Sequence, residues 1–180
     1  MSKSFSFLVA SARTNGNSEQ LARVAAESLP EEVNQDWIAL REFPLPPFQD
    51  HRHSGGEYGA PEGNALRLCE ATLACTDLVF VTPVYWYNVP APLKLYLDYW
   101  SHWMRVDSLD FKSQMAGKRM WVIACSTGSA NQFQPMLDSL RLSAAYLDMQ
   151  WCGHVLGNGS AAGDVLNDTN AVGLARELFL

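Results

Sequence analysis

The stretch VASARTNGNSEQLA, residues 9–22, decides how the rest of the chain is read. A short apolar run, Phe5 to Ala10, ends in a burst of small polar groups around one cation: Ser11, Arg13, Thr14, Asn15, Asn17 and Ser18. An amphipathic run follows, with Leu21, Val24, Ala25 and Leu29 on one stripe and Pro30 closing it. This is a strand passing into a helix over residues 18–29. A helix N-terminus carries free backbone N–H groups and a partial positive charge, which together attract anions. Ser11, Thr14 and Ser18 add hydroxyl donors there, and the forked guanidinium of Arg13 matches phosphate oxygens. Plain capping, with Asn17 as N-cap and Gln20 as its box partner, accounts for those two residues. It leaves Arg13 and Ser11 without a reason.

Outward from this turn, strand and helix signals alternate. Residues 4–10, 36–40, 77–83, 119–126 and 149–156 read as strands. Residues 64–75, 91–104, 134–146 and 169–179 read as the remaining helices. Strands alternating with helices imply right-handed crossovers onto a parallel sheet. In one domain spanning residues 1–180, five strands predict an α/β doubly wound sheet of the flavodoxin-like type, order 2-1-3-4-5, with helices on both faces. Ligands of such sheets bind beyond the carboxyl ends of the strands, where the strand order reverses. Three loops meet there.

The first is the opening stretch. The second is TPVYWYNVPAPLK, residues 82–94, where Pro83 is followed by Tyr85, Trp86 and Tyr87 outside the sheet. Such an aromatic group suits a flat stacked ligand, with core or interface packing as the alternative, evenly balanced for Tyr87. The third is CSTGSANQF, residues 125–133, where Ser126, Thr127 and Gly128 let backbone N–H groups approach a ligand. Residues 41–62 form a long polar connection rich in proline and glycine, and loops of that length are often functional. Its Arg41, His51, Arg52 and His53 are cations placed to meet a nucleotide phosphate. His51 and His53 alone make a poor metal site. GNGSAAG, residues 157–163, imitates a dinucleotide loop, but the chain beyond it suffices for one helix only. It reads as a connection to the last helix.

Bulk properties remove several function classes. A net charge of −6 over 180 residues, with no Lys/Arg cluster, argues against a nucleic-acid binder. No apolar stretch approaches a membrane span. The opening MSKSFSFLVASA has too short an apolar core for a signal peptide and reads as the first strand of a cytoplasmic protein. Four scattered cysteines signal neither a disulfide framework nor a metal centre. In residues 91–104, Leu93, Leu97, Trp100 and Met104 form a stripe able to face the sheet, while Tyr96, Tyr99 and Trp103 add aromatic surface around it. That pattern predicts a homodimer or homotetramer joined through this helix. Lys94 and Asp98, one turn apart, read as a surface ion pair.

Together these residues resemble the NAD(P)H-dependent FMN reductase family of flavodoxin-like flavoproteins. SARTNGNS is similar to its Ser-x-Arg-x-x-x-Asn-Ser/Thr phosphate loop, and PVYWYNVPAPLK to its Pro-x-Tyr-x-x-x-x-Pro-x-x-Leu-Lys segment. LPPFQD, after the second strand, resembles the family's proline-containing loop. The resemblance implies FMN, with Ser11, Arg13, Asn17 and Ser18 at its phosphate. Pro83, Val84, Tyr85, Trp86 and Asn88 would line the isoalloxazine, and Ser126, Thr127 and Gly128 its other edge. It implies hydride transfer from NADPH or NADH through FMN to a small-molecule electron acceptor, with no catalytic side chain and no metal required. The absence of a cysteine motif after strand two sets aside the iron–sulfur branch of the family. A flavodoxin-type electron carrier and a non-catalytic flavin-binding sensor are the alternatives. Arg13 favours the reductase, because such carriers usually hold phosphate with hydroxyls and backbone alone.

Overall fold

The computed structural model describes residues 3–54 and 56–180. Five strands, β1 (Ser4–Val9), β2 (Asn34–Ala39), β3 (Asp77–Pro83), β4 (Arg119–Ser126) and β5 (Gln150–Asn158), pair in parallel in the order β2-β1-β3-β4-β5. This is the predicted flavodoxin-like sheet. The helices are α1 (Asn17–Ala26), α2 (Gly63–Ala74), α3 (Ala91–Trp103), α4 (Phe111–Met115), α5 (Gln134–Tyr146) and α6 (Thr169–Glu177). The short α4 carried no periodicity long enough to announce it. No helix among the described residues is long and apolar enough to cross a membrane.

Side chains alternate across a strand, so a sheet buried on both faces needs two cores. Phe5, Phe7, Val9, Val79, Val81 and Ile123 meet Leu21, Ala22 and Ala25 of α1 and Ala171 and Ala175 of α6. Leu8, Leu78, Phe80, Met120, Val122 and Ala124 meet α2, α3, α4 and α5 on the opposite face. The helices that follow β1 and β3, α1 and α3, therefore leave the sheet on opposite sides, and a crevice opens between the β1 and β3 ends.

The stripe of α3 points as predicted, but the aromatic surface around it does not. Tyr96 and Trp103 are fully buried and Tyr99 is 8% exposed. Tyr96 edges against Phe80 and Trp100, and its hydroxyl shares a 2.6 Å hydrogen bond with Thr72. Trp103 packs on Phe111 of α4, and Tyr99 donates to the Pro46 carbonyl at 3.1 Å. The unforeseen α4 and the loop after β2 cover this side, so these rings complete one chain's core. Lys94 and Asp98 do pair on the surface, at 2.5 Å.

At the amino-terminal edge of the sheet Asp77, fully buried, receives Nε and Nη2 of Arg119 at 2.7 Å each. It also accepts from Trp121 Nε1 at 2.9 Å and Thr76 Oγ1 at 2.7 Å. Removing one partner of such a pair strands the other in a poorly solvated place. Asp77→Ala is expected to cost about 3 kcal/mol, the lower end of the range because part of Arg119 reaches water. Urea unfolding measures the loss. Ligand affinity at the opposite edge of the sheet is expected to stay unchanged.

Candidate functional site

The polar turn between β1 and α1 holds together by local bonds. Ser11 Oγ accepts from the Arg13 amide at 3.1 Å, and Glu19 Oε2 from the Asn15 amide at 3.1 Å. Gly16 is the N-cap of α1, and no side chain caps that helix end. A Cβ on Gly16 would stand 2.9 Å from Ser11 Oγ, so any larger residue there would have to push that hydroxyl aside. This corrects the capping reading. Asn17 lies inside the helix, and Gln20 reaches back to the Asn15 carbonyl at 2.8 Å instead of closing a box.

Asn17 spends its carboxamide elsewhere. Nδ2 donates to the Ala161 carbonyl at 2.9 Å, and Oδ1 accepts from the amides of Gly163 at 2.9 Å and Val165 at 3.5 Å. It thereby ties the β1–α1 turn to the turn after β5. Arg13 adds a 3.3 Å bond from Nη1 to the Ser160 carbonyl. The glycine spacing of residues 157–163 has a packing origin. A Cβ on Gly157 would meet Val165 at 2.6 Å, and one on Gly159 would meet Asn17 Nδ2 and the Val165 amide at 2.8 Å.

These turns enclose a cleft of about 200 Å³ at the carboxyl edge of the sheet. Ser11, Arg13, Asn17 and Ser18 line one end, Pro83, Val84 and Tyr85 one side, and Ser126 and Thr127 the other. Three further residues singled out by sequence do not line it: Trp86, Asn88 and Gly128. Asn88 Oδ1 is taken by the Val89 amide at 2.8 Å, Gly128 lies under the side chain of Gln132, and Trp86 projects into solvent. Gly159 and Ser160 form a wall that sequence reading missed, although the glycine-rich run was a visible signal. Cys125 forms the floor. Burial pushes its thiol up to about 12, so it is a neutral surface and not a thiolate nucleophile.

The cations of the long connection stand apart. Arg41 pairs with Glu42 at 3.2 Å and Arg52 with Asp50, whose carboxyl that guanidinium holds far below the usual range. His51 lines a separate groove of about 720 Å³ between this connection and α3, together with Glu57, Glu62 and His102. None of these four cations lines the cleft described above.

The architecture defines a flavodoxin-like protein with a polar-ended cleft at the reversal of strand order. The chain belongs to the NADPH-dependent FMN reductase family, whose model matches residues 5–162. It is 32% identical over 169 residues to YwqN of Bacillus subtilis (strain 168), provisionally an NAD(P)H-dependent FMN-containing oxidoreductase, covering 93% of this chain and 91% of that protein. The structure of the Trp repressor binding protein from Bacillus subtilis superposes with a TM-score of 0.78 at 26% identity, covering 98% of this chain and 97% of that one. An FMN-dependent NADH-azoreductase from Bacillus anthracis str. Ames Ancestor, solved in complex with FMN, has the same fold. Its TM-score is 0.68 at 18% identity, covering 98% of this chain and 97% of that one.

Asn17→Ala deletes the tie between the two turns. Amide hydrogen exchange across residues 159–165 is expected to accelerate by about tenfold or more, as one or two hydrogen bonds of about 1 kcal/mol each are lost. Mass-spectrometric exchange measures it. Unchanged protection would show that the turn holds itself, through Asp164 Oδ2 accepting from the Ser160 and Ala161 amides at 3.1 and 2.7 Å and Asp168 Oδ2 from the Asn158 amide at 3.0 Å.

Proposed function

We propose that this chain is an FMN-dependent NAD(P)H oxidoreductase that reduces flat conjugated acceptors such as quinones, free flavins or azo compounds. The observation that carries this reading is the composition of the cleft along its length. At one end, hydroxyls and a guanidinium gather beside a helix N-terminus that no side chain caps. Such an end suits a dianionic phosphate. Toward the other, Pro83 to Tyr85 face Ser126 and Thr127, an apolar and aromatic wall against a small polar one. An apolar slot with few polar contacts suits an aromatic ring system. These residues fit FMN.

In this reading Arg13, Ser11 and Ser18 hold the phosphate. Asn17 acts one step removed, by fixing the wall of Gly159 and Ser160. Pro83, Val84 and Tyr85 set the ring plane, while Ser126 and Thr127 meet its polar edge. The uncharged Cys125 thiol underneath offers no competing nucleophile. When bound, FMN supplies the redox chemistry, accepting a hydride from the nicotinamide and returning two electrons to an acceptor. The sum for a quinone is NAD(P)H plus one proton plus quinone giving NAD(P)⁺ plus hydroquinone. Nicotinamide and acceptor would use the opening of this cleft in turn, so oxidised nucleotide would leave before the acceptor enters.

The whole chain acts as one FMN-binding domain, and it works in the cytoplasm, where its four free cysteines stay reduced. It assembles as a homodimer or homotetramer. The surface for this is the outer side of α3, where Leu95 borders an apolar groove of about 680 Å³ with Phe43, Leu45 and Phe48. The inward-turned aromatics of α3 take no part.

Purified protein mixed with FMN without oxygen is expected to lose its visible flavin band on addition of NADPH or NADH. A quinone restores the band. Failure of both nucleotides, with a stable semiquinone after dithionite, would make the protein an electron carrier instead. Arg13→Ala removes a charge-assisted contact of about 1.5–3 kcal/mol, so FMN affinity is expected to fall about tenfold or more while the fold persists. Flavin fluorescence titration measures it.

A further inference from the structure

The loop after β3 turns through a two-residue hairpin. The Tyr85 amide donates to the Asn88 carbonyl at 2.9 Å, and the Asn88 amide to the Tyr85 carbonyl at 3.1 Å. Between them Trp86 has φ 51° and Tyr87 φ 65°. Two positive φ angles define a turn that Asn-Gly adopts readily. A bulky side chain there is a steric outlier, and such strain persists only where the surroundings impose it or function uses it. Here two aromatic residues occupy both positions.

The strained turn places one ring in an unusual situation. Trp86 is 93% exposed. Each of the other five tryptophans packs against a ring of this chain: Trp37 on Phe7, Trp100 on Tyr96, Trp103 on Phe111, Trp121 on Phe179 and Trp151 beside His154. Among the described residues no ring or cation pairs with Trp86. Yet its neighbour Tyr85 lines the cleft, so the indole stands one residue beyond the wall of the site, on a turn fixed by two reciprocal backbone bonds.

We propose that Trp86 is a specificity-determining residue: its indole is a stacking wall for flat conjugated electron acceptors at the edge of the cleft. This rests on the cleft being the FMN site. A rigid aromatic plane loses little side-chain entropy on meeting a flat partner, and offset stacking adds to the apolar area covered. The two-residue hairpin fixes the backbone that carries the indole, leaving only its two side-chain torsions to be ordered. A relaxed Asn-Gly turn would hold the same backbone path with no ring on it. Because the neighbouring Tyr85 lines the cleft, the occupant this ring fits is a small planar molecule entering there.

The test replaces the turn by its unstrained form, Trp86→Asn with Tyr87→Gly, beside the single substitution Trp86→Phe. The Asn-Gly variant is expected to raise Tm by about 3 °C, because strain is relieved at two positions. Its FMN affinity is expected to move less than about twofold. The ratio of kcat/KM for 1,4-naphthoquinone to that for ferricyanide, an acceptor with no aromatic face, is expected to drop about tenfold, mostly through KM for the quinone. Trp86→Phe recovers most of the ratio. Quenching of indole emission by 1,4-naphthoquinone in oxidised wild-type protein follows binding without turnover, and the component missing from the Asn-Gly variant is expected to saturate with quinone concentration.

An unchanged ratio in the Asn-Gly variant overturns the proposal. So does a fall in FMN affinity of tenfold, which would make the hairpin part of the cofactor site. Dissociation of an assembly in that variant, seen by light scattering, would assign the indole to a second copy of the chain. Wild-type protein that takes up no FMN would refute the flavin reading instead, and the quenching titration would still decide whether Trp86 meets the quinone.

Discussion

A parallel sheet must be covered on both faces, and this requirement generates the site. Every strand of such a sheet delivers its carboxyl end to one edge, so the loops with freedom to vary collect there. Because β1 lies between β2 and β3, the chain leaves β1 toward one face and β3 toward the other. The two exits diverge, and no backbone fills the gap between them. The cleft is the consequence, and its chemistry depends on what the loops after β1, β3, β4 and β5 carry.

The two edges of the sheet serve different ends. At the amino edge, Asp77, Arg119, Trp121 and Thr76 satisfy one another completely, and Lys118 donates to the Leu73 carbonyl at 2.7 Å and to that of Cys75. The Asp77 side of this edge is held together by a charge pair and by lysine-to-carbonyl bonds. At the carboxyl edge the arrangement is the reverse. A helix N-terminus goes uncapped, Arg13 holds its carbonyl at 3.3 Å, and a hairpin keeps two aromatic residues at positive φ.

The turn after β5 shows how a distant segment becomes part of a local motif. Asn17 is read most simply as a phosphate ligand or a cap, because those are the roles its neighbours in sequence suggest. In three dimensions its carboxamide meets backbone groups some 146 positions away. The glycines at 157 and 159 exist to let that approach happen, since a methyl group at either would collide with Asn17 or Val165. The pattern that imitates a dinucleotide loop is thus a packing requirement with a different purpose.

What the sequence by itself determined was the order of elements, the parallel sheet, and three of the loops at its carboxyl edge. Hydrophobic period, helix-breaking residues and turn composition are local properties, and local properties survive without a partner. That Arg13, Ser11 and Ser18 would share one turn was legible because they lie within eight residues of one another. Only the tertiary structure decided the rest. It brought Gly159 and Ser160 to the cleft, turned Tyr96 and Trp103 inward under α4, committed Arg52 to Asp50, and left Trp86 outside. Each of these depends on which surface another element happens to cover. A residue's periodicity states that it can be buried, but the partner across the sheet states whether it is.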